Sequence, residues 1–123
     1  MASVVWKLAL QMKKGERPRI FQDGEQTRDQ VYIKDVVRAN ILALESGKRG
    51  IVNVGSGEAI SFNQIVRELN DILGTSLEPE YFENRFPDRI QKATQADLTL
   101  AKKLIGYEPE WPFERAVRDY IKL

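Results

Sequence analysis

Apolar positions along the chain switch between a helical period and short extended runs, separated by glycine, proline and Asp-Gly punctuation. The first helical pattern spans about Ala2 to Lys14 and places Val4, Val5, Leu8 and Met12 on one face. Trp6 and Leu10 form a second apolar stripe well round from it, so this helix is expected to meet two packing partners. Gly15 ends it, and Arg17 to Asp23 reads as a short extended segment around Pro18, Ile20 and Phe21, closed by Asp23-Gly24. A half-buried strand over residues 29–33 then runs into a helix, with Asp35 as its N-cap, Val37, Ile41 and Leu44 facing inward, and Gly47 at its exit. Gly50 to Gly55 reads as a compact strand.

Ser61-Phe62-Asn63-Gln64 fits a capping box, in which Ser61 and Gln64 satisfy each other's free amides. Phe62, Ile65, Val66, Leu69, Ile72 and Leu73 follow at helical spacing, and Gly74 supplies a left-handed stop. Strands are expected over Glu78 to Glu83 and Lys92 to Ala96, on either side of a polar segment from Asn84 to Gln91. Asp97 caps a helix through Leu104 that Gly106 terminates, and Pro112 opens a last helix burying Phe113, Val117, Tyr120 and Ile121. Strands interleaved with about five helices predict an α/β fold rather than a bundle. At 123 residues the chain is expected to form one domain over residues 1–123, burying roughly two thirds of its unfolded surface.

Charge changes that picture little. With 19 basic and 18 acidic residues there is no bulk attraction to nucleic acid or to an anionic membrane, so any anion site is local. The absence of cysteine and histidine removes disulfides, thiolate chemistry, sulfur-ligated zinc and the commonest acid/base side chain. The apolar start is too short for a membrane span and has no small-residue cleavage site, which predicts a cytosolic chain.

Four features bear on chemistry, and each has a plainer reading. Arg28, at a strand entrance, offers a planar five-donor head that would hold a phosphate bidentately, or else pair with Asp29 or another carboxylate on a solvated rim. Val52-Asn53-Val54-Gly55-Ser56-Gly57 imitates the start of a dinucleotide fingerprint. However, the third glycine position is Ile60 and the helix begins only after Ser61, so a tight strand-to-helix turn is the better reading. Asn53 is free there to offer its amide to a ligand or to the backbone. Arg85-Phe86-Pro87-Asp88-Arg89 places two guanidiniums and a carboxylate around a proline, either at a ligand or in a solvated loop. The carboxylates have no spacing suited to paired acid and base work, and Glu78, Glu80 and Glu83 read as solvent-facing charges near an edge strand.

Taken in order, four tracts resemble the extended short-chain dehydrogenase/reductases that act on nucleotide sugars. They are Arg-Asp-x-Val-Tyr-Ile-x-Asp-Val-Val-x-Ala from Arg28 to Ala39, Asn-Val-Gly-Ser-Gly-Glu from Asn53 to Glu58, Ala96-Asp97 with Lys102 or Lys103 after it, and Gly-Tyr-x-Pro from Gly106 to Pro109. Three further tracts resemble the ADP-glycero-manno-heptose 6-epimerase branch: Met-Ala-Ser-Val-Val at the start, Leu73 to Tyr81 and Thr94 to Leu98. UDP-glucose 4-epimerase-like enzymes are the alternative branch.

The resemblance implies the C-terminal, substrate-binding portion of an extended Rossmann-type fold, without the dinucleotide-binding half. It implies that Arg28 contacts the substrate diphosphate, that Arg19 and Phe21 line the base pocket, and that Asn53 lies on the strand closing the other wall. A family Arg-x-x-Asp pair falls on Arg85 and Asp88, although Arg-Phe-Pro-Asp stands where the family has Arg-Pro-Gly-Asp, and Arg89 is a substitute for Arg85. The implied partner is an ADP- or UDP-linked nucleotide sugar. NAD or NADP is implied for a full-length enzyme but is not expected on this chain, which has no Gly-x-x-Gly-x-x-Gly loop and no Tyr-x-x-x-Lys pair: Val36, Arg85 and Trp111 follow Tyr32, Tyr81 and Tyr107 at that spacing. The chain is therefore expected to be inactive alone and to self-associate into a homo-oligomer through Trp6 and Leu10. A stand-alone binding or interaction module built on the same scaffold is the other reading.

Overall fold

A computed structural model describes residues 3–122. Helix α1 runs Val4–Lys13, with the Ser3 hydroxyl accepting from the Trp6 amide; the expected start at Ala2 lies outside the described residues. Its core face is Val5, Leu8, Ala9 and Met12. The second stripe is only partly covered, since Trp6 packs edge-on against Tyr120 at 5.9 Å while Leu10 stays 42% exposed.

Strand β1, Arg19–Phe21, pairs in parallel with β4, Glu80–Phe82, matching Ile20 to Tyr81. The two-residue period sends Ile20 into the core and leaves Arg19 and Phe21 facing out. Strand β2, Thr27–Asp29, pairs antiparallel with β3, Ala59–Ser61, placing Arg28 opposite Ile60. Thr27 also bridges in parallel to Ala93.

Helix α2 is Ile33–Ser46 and α3 is Phe62–Leu73. A single 3₁₀ turn, Pro87–Arg89, interrupts the polar segment, and α4, Thr99–Ile105, and α5, Phe113–Ile121, complete the order. The larger core is formed by α1, α3 and α5 around Ile20, Ile60, Ile65 and Leu69. A smaller one gathers Ala39 of α2, Ala101 of α4 and Tyr107, with Leu42, Val52, Val54 and Leu98 around them. Among the described residues no helix is long and apolar enough to cross a membrane.

The fold departs from expectation in the middle of the chain. The strand expected over residues 29–33 is displaced to Thr27–Asp29, because pairing with β3 ends at Asp29 and Tyr32 already takes the extended cap position of α2. Asp35 is not the cap. It lies inside the first helical turn, 1% exposed, where its carboxylate accepts from the amides of Glu110, at 2.9 Å, and Trp111, at 3.2 Å. The expected inward face of α2 is in fact the outward one: Val37 is 51%, Ile41 50% and Leu44 85% exposed, while Asp35 and Ala39 are buried. Helical period reports a stripe that needs cover; it does not say which polypeptide covers it.

The expected strand Gly50 to Gly55 has no strand partner among the described residues, and Ala59–Ser61, where no strand was expected, pairs with β2 as β3. The expected strand Lys92 to Ala96 shrinks to the bridge at Ala93. Leu98 rather than Asp97 stands at the α4 cap position, although the Asp97 carboxylate still accepts from the Thr99 amide.

Candidate functional site

Arg28 sits in the middle of β2, half-buried, with its guanidinium 5.9 Å over the Phe62 ring and Nη1 donating to the Thr27 carbonyl at 2.7 Å. The ion pairs among the described residues are Lys34–Asp119, Arg38–Glu110 and Lys102–Glu108, so the carboxylate partner that a solvated-rim reading requires is not formed. A partly desolvated guanidinium with free donors is suited to a planar or tetrahedral oxyanion.

The neighbouring Asp29 explains why it is not that partner. Its Oδ1 accepts from the Ser56 amide at 2.7 Å and the Ser56 hydroxyl at 2.8 Å, and its Oδ2 accepts from the amides of Gly57, at 2.9 Å, and Ala96, at 3.1 Å. One carboxylate thus ties β2 to the 55–57 loop and to the segment leading into α4. Tyr107 adds a further tie, its buried hydroxyl donating to the Gly55 carbonyl at 2.7 Å. Gly55 has no room for a side chain, because a Cβ there would lie 2.6 Å from the Ala96 Cβ and 2.8 Å from Asp29 Oδ2.

This geometry also tests the Gly-x-Gly imitation. In a dinucleotide loop the backbone amides point at pyrophosphate; here those of Ser56 and Gly57 are spent on the chain's own carboxylate. The loop does not fit a nicotinamide dinucleotide.

Arg19 and Phe21, two residues apart on β1, converge on Phe82 of β4: the Arg19 guanidinium lies 4.8 Å over its ring and Phe21 packs against it, tilted by 48°, with ring centroids 4.3 Å apart. They form an exposed aromatic and cationic shelf. An open cleft of about 380 Å³ adjoins it, lined by Gln22, Tyr81, Phe82, Glu83, Asn84 and Pro87. Arg85 and Asp88 are exposed on the segment that follows β4, and Arg89 stacks on Phe86 at 5.0 Å. Asn53 is exposed on the unpaired 51–54 segment and makes no hydrogen bond among the described residues.

The structure therefore brings Arg19 and Phe21 together, sets Arg85 and Asp88 on the chain just beyond Phe82, and leaves Arg28 and Asn53 on separate elements. Sequence reasoning missed Phe82, Tyr81 and the hub role of Asp29. The period-two pattern around Tyr81 held the first two, whereas nothing local to Asp29 pointed to partners 27 and 67 residues away.

Tyr32 and Tyr107 are not poised as bases. Burial, the hydrogen bond to Asp119 and that residue's charge push Tyr32 up to about 12. Burial and the nearby Asp35 charge push Tyr107 up to about 12. A catalytic tyrosine needs the opposite shift.

Residues 1–55 match the NAD dependent epimerase/dehydratase family. The chain is similar to UDP-glucuronate 4-epimerase of Thermodesulfobacterium geofontis, 39% identical over 105 residues, which cover 84% of this chain and 32% of that protein. Its fold is similar to the crystal structure of ADP-L-glycero-D-manno-heptose-6-epimerase from Helicobacter pylori, with a TM-score of 0.89 and 38% identity, covering 99% of this chain and 37% of that one. It is also similar to UDP-glucose 4-epimerase of Thermotoga maritima, crystallised with UDP-glucose, at a TM-score of 0.87 and 38% identity, covering 98% and 40%. The chain thus has the α/β fold of a portion of these epimerases and spans about a third of the length of the curated relative.

Proposed function

We propose that this chain is the nucleotide-sugar-binding portion of an NAD- or NADP-dependent sugar epimerase, with Arg28 as the diphosphate clamp. The observation that carries this reading is the half-buried Arg28 guanidinium, which has donors to spare and no acidic partner among the described residues. Similarity to epimerases crystallised with UDP-glucose and with UDP-glucuronic acid supports it. In this reading the Arg19, Phe21 and Phe82 shelf stacks the base, Asn53 offers its amide from the opposite wall, and Arg85 and Asp88 reach the diphosphate and ribose. Resemblance in the Leu73 to Tyr81 and Thr94 to Leu98 tracts favours an ADP-linked sugar, with UDP-linked sugars as the alternative.

In this reading the chain holds and orients substrate, its 55–57 loop does not fit the nicotinamide dinucleotide, and it is inactive alone. Exposed apolar surface makes it self-associate in isolation, and a cysteine-free chain suits the cytosol.

Titration calorimetry with ADP, UDP and UDP-glucose tests the proposal. Saturable binding is expected, weakened roughly 10- to 100-fold by Arg28→Ala, the loss of a charge-assisted hydrogen bond, with the thermal melt unchanged. No binding by the intact chain would sink this reading and favour a stand-alone interaction module.

A further inference from the structure

Stacking alone does not choose a base. Every base has a π face, so the Arg19, Phe21 and Phe82 shelf suits purine and pyrimidine alike. Choice comes from hydrogen bonds to the edge of the base, and a ring lying on Phe82 presents an edge to the cleft of about 380 Å³ that Phe82 also lines.

Most polar groups of that cleft are already committed. The Tyr81 hydroxyl donates to Asn63 Oδ1 at 2.8 Å, and Asn84 Oδ1 accepts from the Phe86 amide at 2.9 Å, which leaves Asn84 Nδ2 covered and without an acceptor. Glu83 offers acceptors alone. Gln22 is exposed, lines the cleft, and carries a carboxamide that no described residue engages. It is the one lining side chain with both a donor and an acceptor free.

The backbone at Gln22 supplies an independent observation. Its φ is +52°, and every other positive-φ position among the described residues is a glycine. The conformation is fixed from both sides. The Gln22 amide donates to the Phe82 carbonyl at 2.9 Å where the β1–β4 ladder ends, and the Gly24 amide then turns back to the Phe21 carbonyl at 3.2 Å. Glycine adopts this conformation freely, whereas a β-carbon strains it, so a long polar side chain is kept here against a local cost. Such strain gathers where a side chain meets a ligand.

We infer that Gln22 reads the base: its carboxamide pairs with a base edge that presents a hydrogen-bond donor beside an acceptor, while Arg19, Phe21 and Phe82 hold the face. Uracil offers that edge as N3–H beside O4, and adenine as N6–H beside N1 or N7. The inference rests on the proposed function, which supplies the nucleotide, and adds the residue that discriminates its base.

Titration calorimetry on the full chain tests this with UDP, ADP and inorganic pyrophosphate, for the intact protein, Gln22→Gly and Gln22→Glu. Gln22→Gly removes the carboxamide and the strain together. Its melting temperature is expected to rise by about 2–6 °C, while the nucleotide that the intact chain prefers loses about tenfold in affinity and pyrophosphate keeps its own. Gln22→Glu keeps the reach and the backbone conformation but has no donor, and is expected to lose the same nucleotide affinity relative to pyrophosphate. Whether UDP or ADP shows the loss identifies the base. A melt unchanged or lowered in Gln22→Gly, undiminished nucleotide affinity in either variant, or an equal loss for pyrophosphate overturns the inference. Nucleotide binding that falls with Arg28→Ala but not with Gln22→Gly sinks this inference alone; an intact chain that binds neither nucleotide sinks the proposed function with it.

Discussion

Adjacent residues in β2 have opposite roles. Asp29 is structural, because its two oxygens satisfy three backbone amides and a hydroxyl drawn from distant parts of the chain. Arg28 beside it is left with donors to spare, and it is free because Asp29 is committed elsewhere. Asp29→Ala is expected to destabilise the chain by about 3 kcal/mol or more in urea unfolding, since each buried amide left without an acceptor costs roughly 1–3 kcal/mol. Arg28→Ala should cost within about 0.5 kcal/mol. Equal losses in the two variants would refute the division of roles. Arg28 was legible because a guanidinium in a strand is conspicuous in one dimension. Asp29 was legible only as a possible ion-pair partner, because its true partners are defined by the tertiary fold.

Helices α2 and α3 show what local sequence can and cannot specify. At α3 the capping box is formed in full: the Ser61 hydroxyl accepts from the Gln64 amide at 3.1 Å and the Gln64 side chain accepts from the Ser61 amide at 2.9 Å. Ile65, Val66 and Leu69 are buried as their spacing predicts. Ser61→Ala should therefore cost about 1 kcal/mol, measured as a lowered urea midpoint, and Ser61→Asp should restore most of it. At α2 the same periodicity identified a real apolar stripe but put it on the inside. The helix instead packs through Ala39 and anchors its first turn through Asp35 to the amides before α5. An aspartate that caps a helix cannot be told by sequence alone from one that accepts from distant amides, since both are an aspartate near a helix start.

Across the molecule, two ties between distant segments are made by desolvated phenols, which produces a pH dependence at the alkaline end. Tyr32, pushed up to about 12, donates to Asp119, and Tyr107, also pushed up to about 12, donates to the Gly55 carbonyl. A raised folded pKa means that the folded state holds its proton more tightly than the unfolded state does. The stabilisation is then complete below the unfolded value near 10 and is lost as pH rises from there through about 12. Urea midpoints should be flat below pH 10 on this account and fall above it, with a shallower fall in Tyr107→Phe. A fall that is equally steep in that variant would refute the role given to Tyr107.

Sequence alone determined the α/β class, the helix order, the α3 cap, the extended segment around Ile20, and the cation that an anion would seek. All of these depend on residues within one turn or one strand of each other. Only the tertiary structure decided that β2 ends at Asp29, that the 55–57 loop closes on a carboxylate instead of a phosphate, and that 51–54 and the outer face of α2 stand uncovered. Burial and hydrogen-bond satisfaction are properties of what packs against a segment, and periodicity specifies the surface without naming its partner.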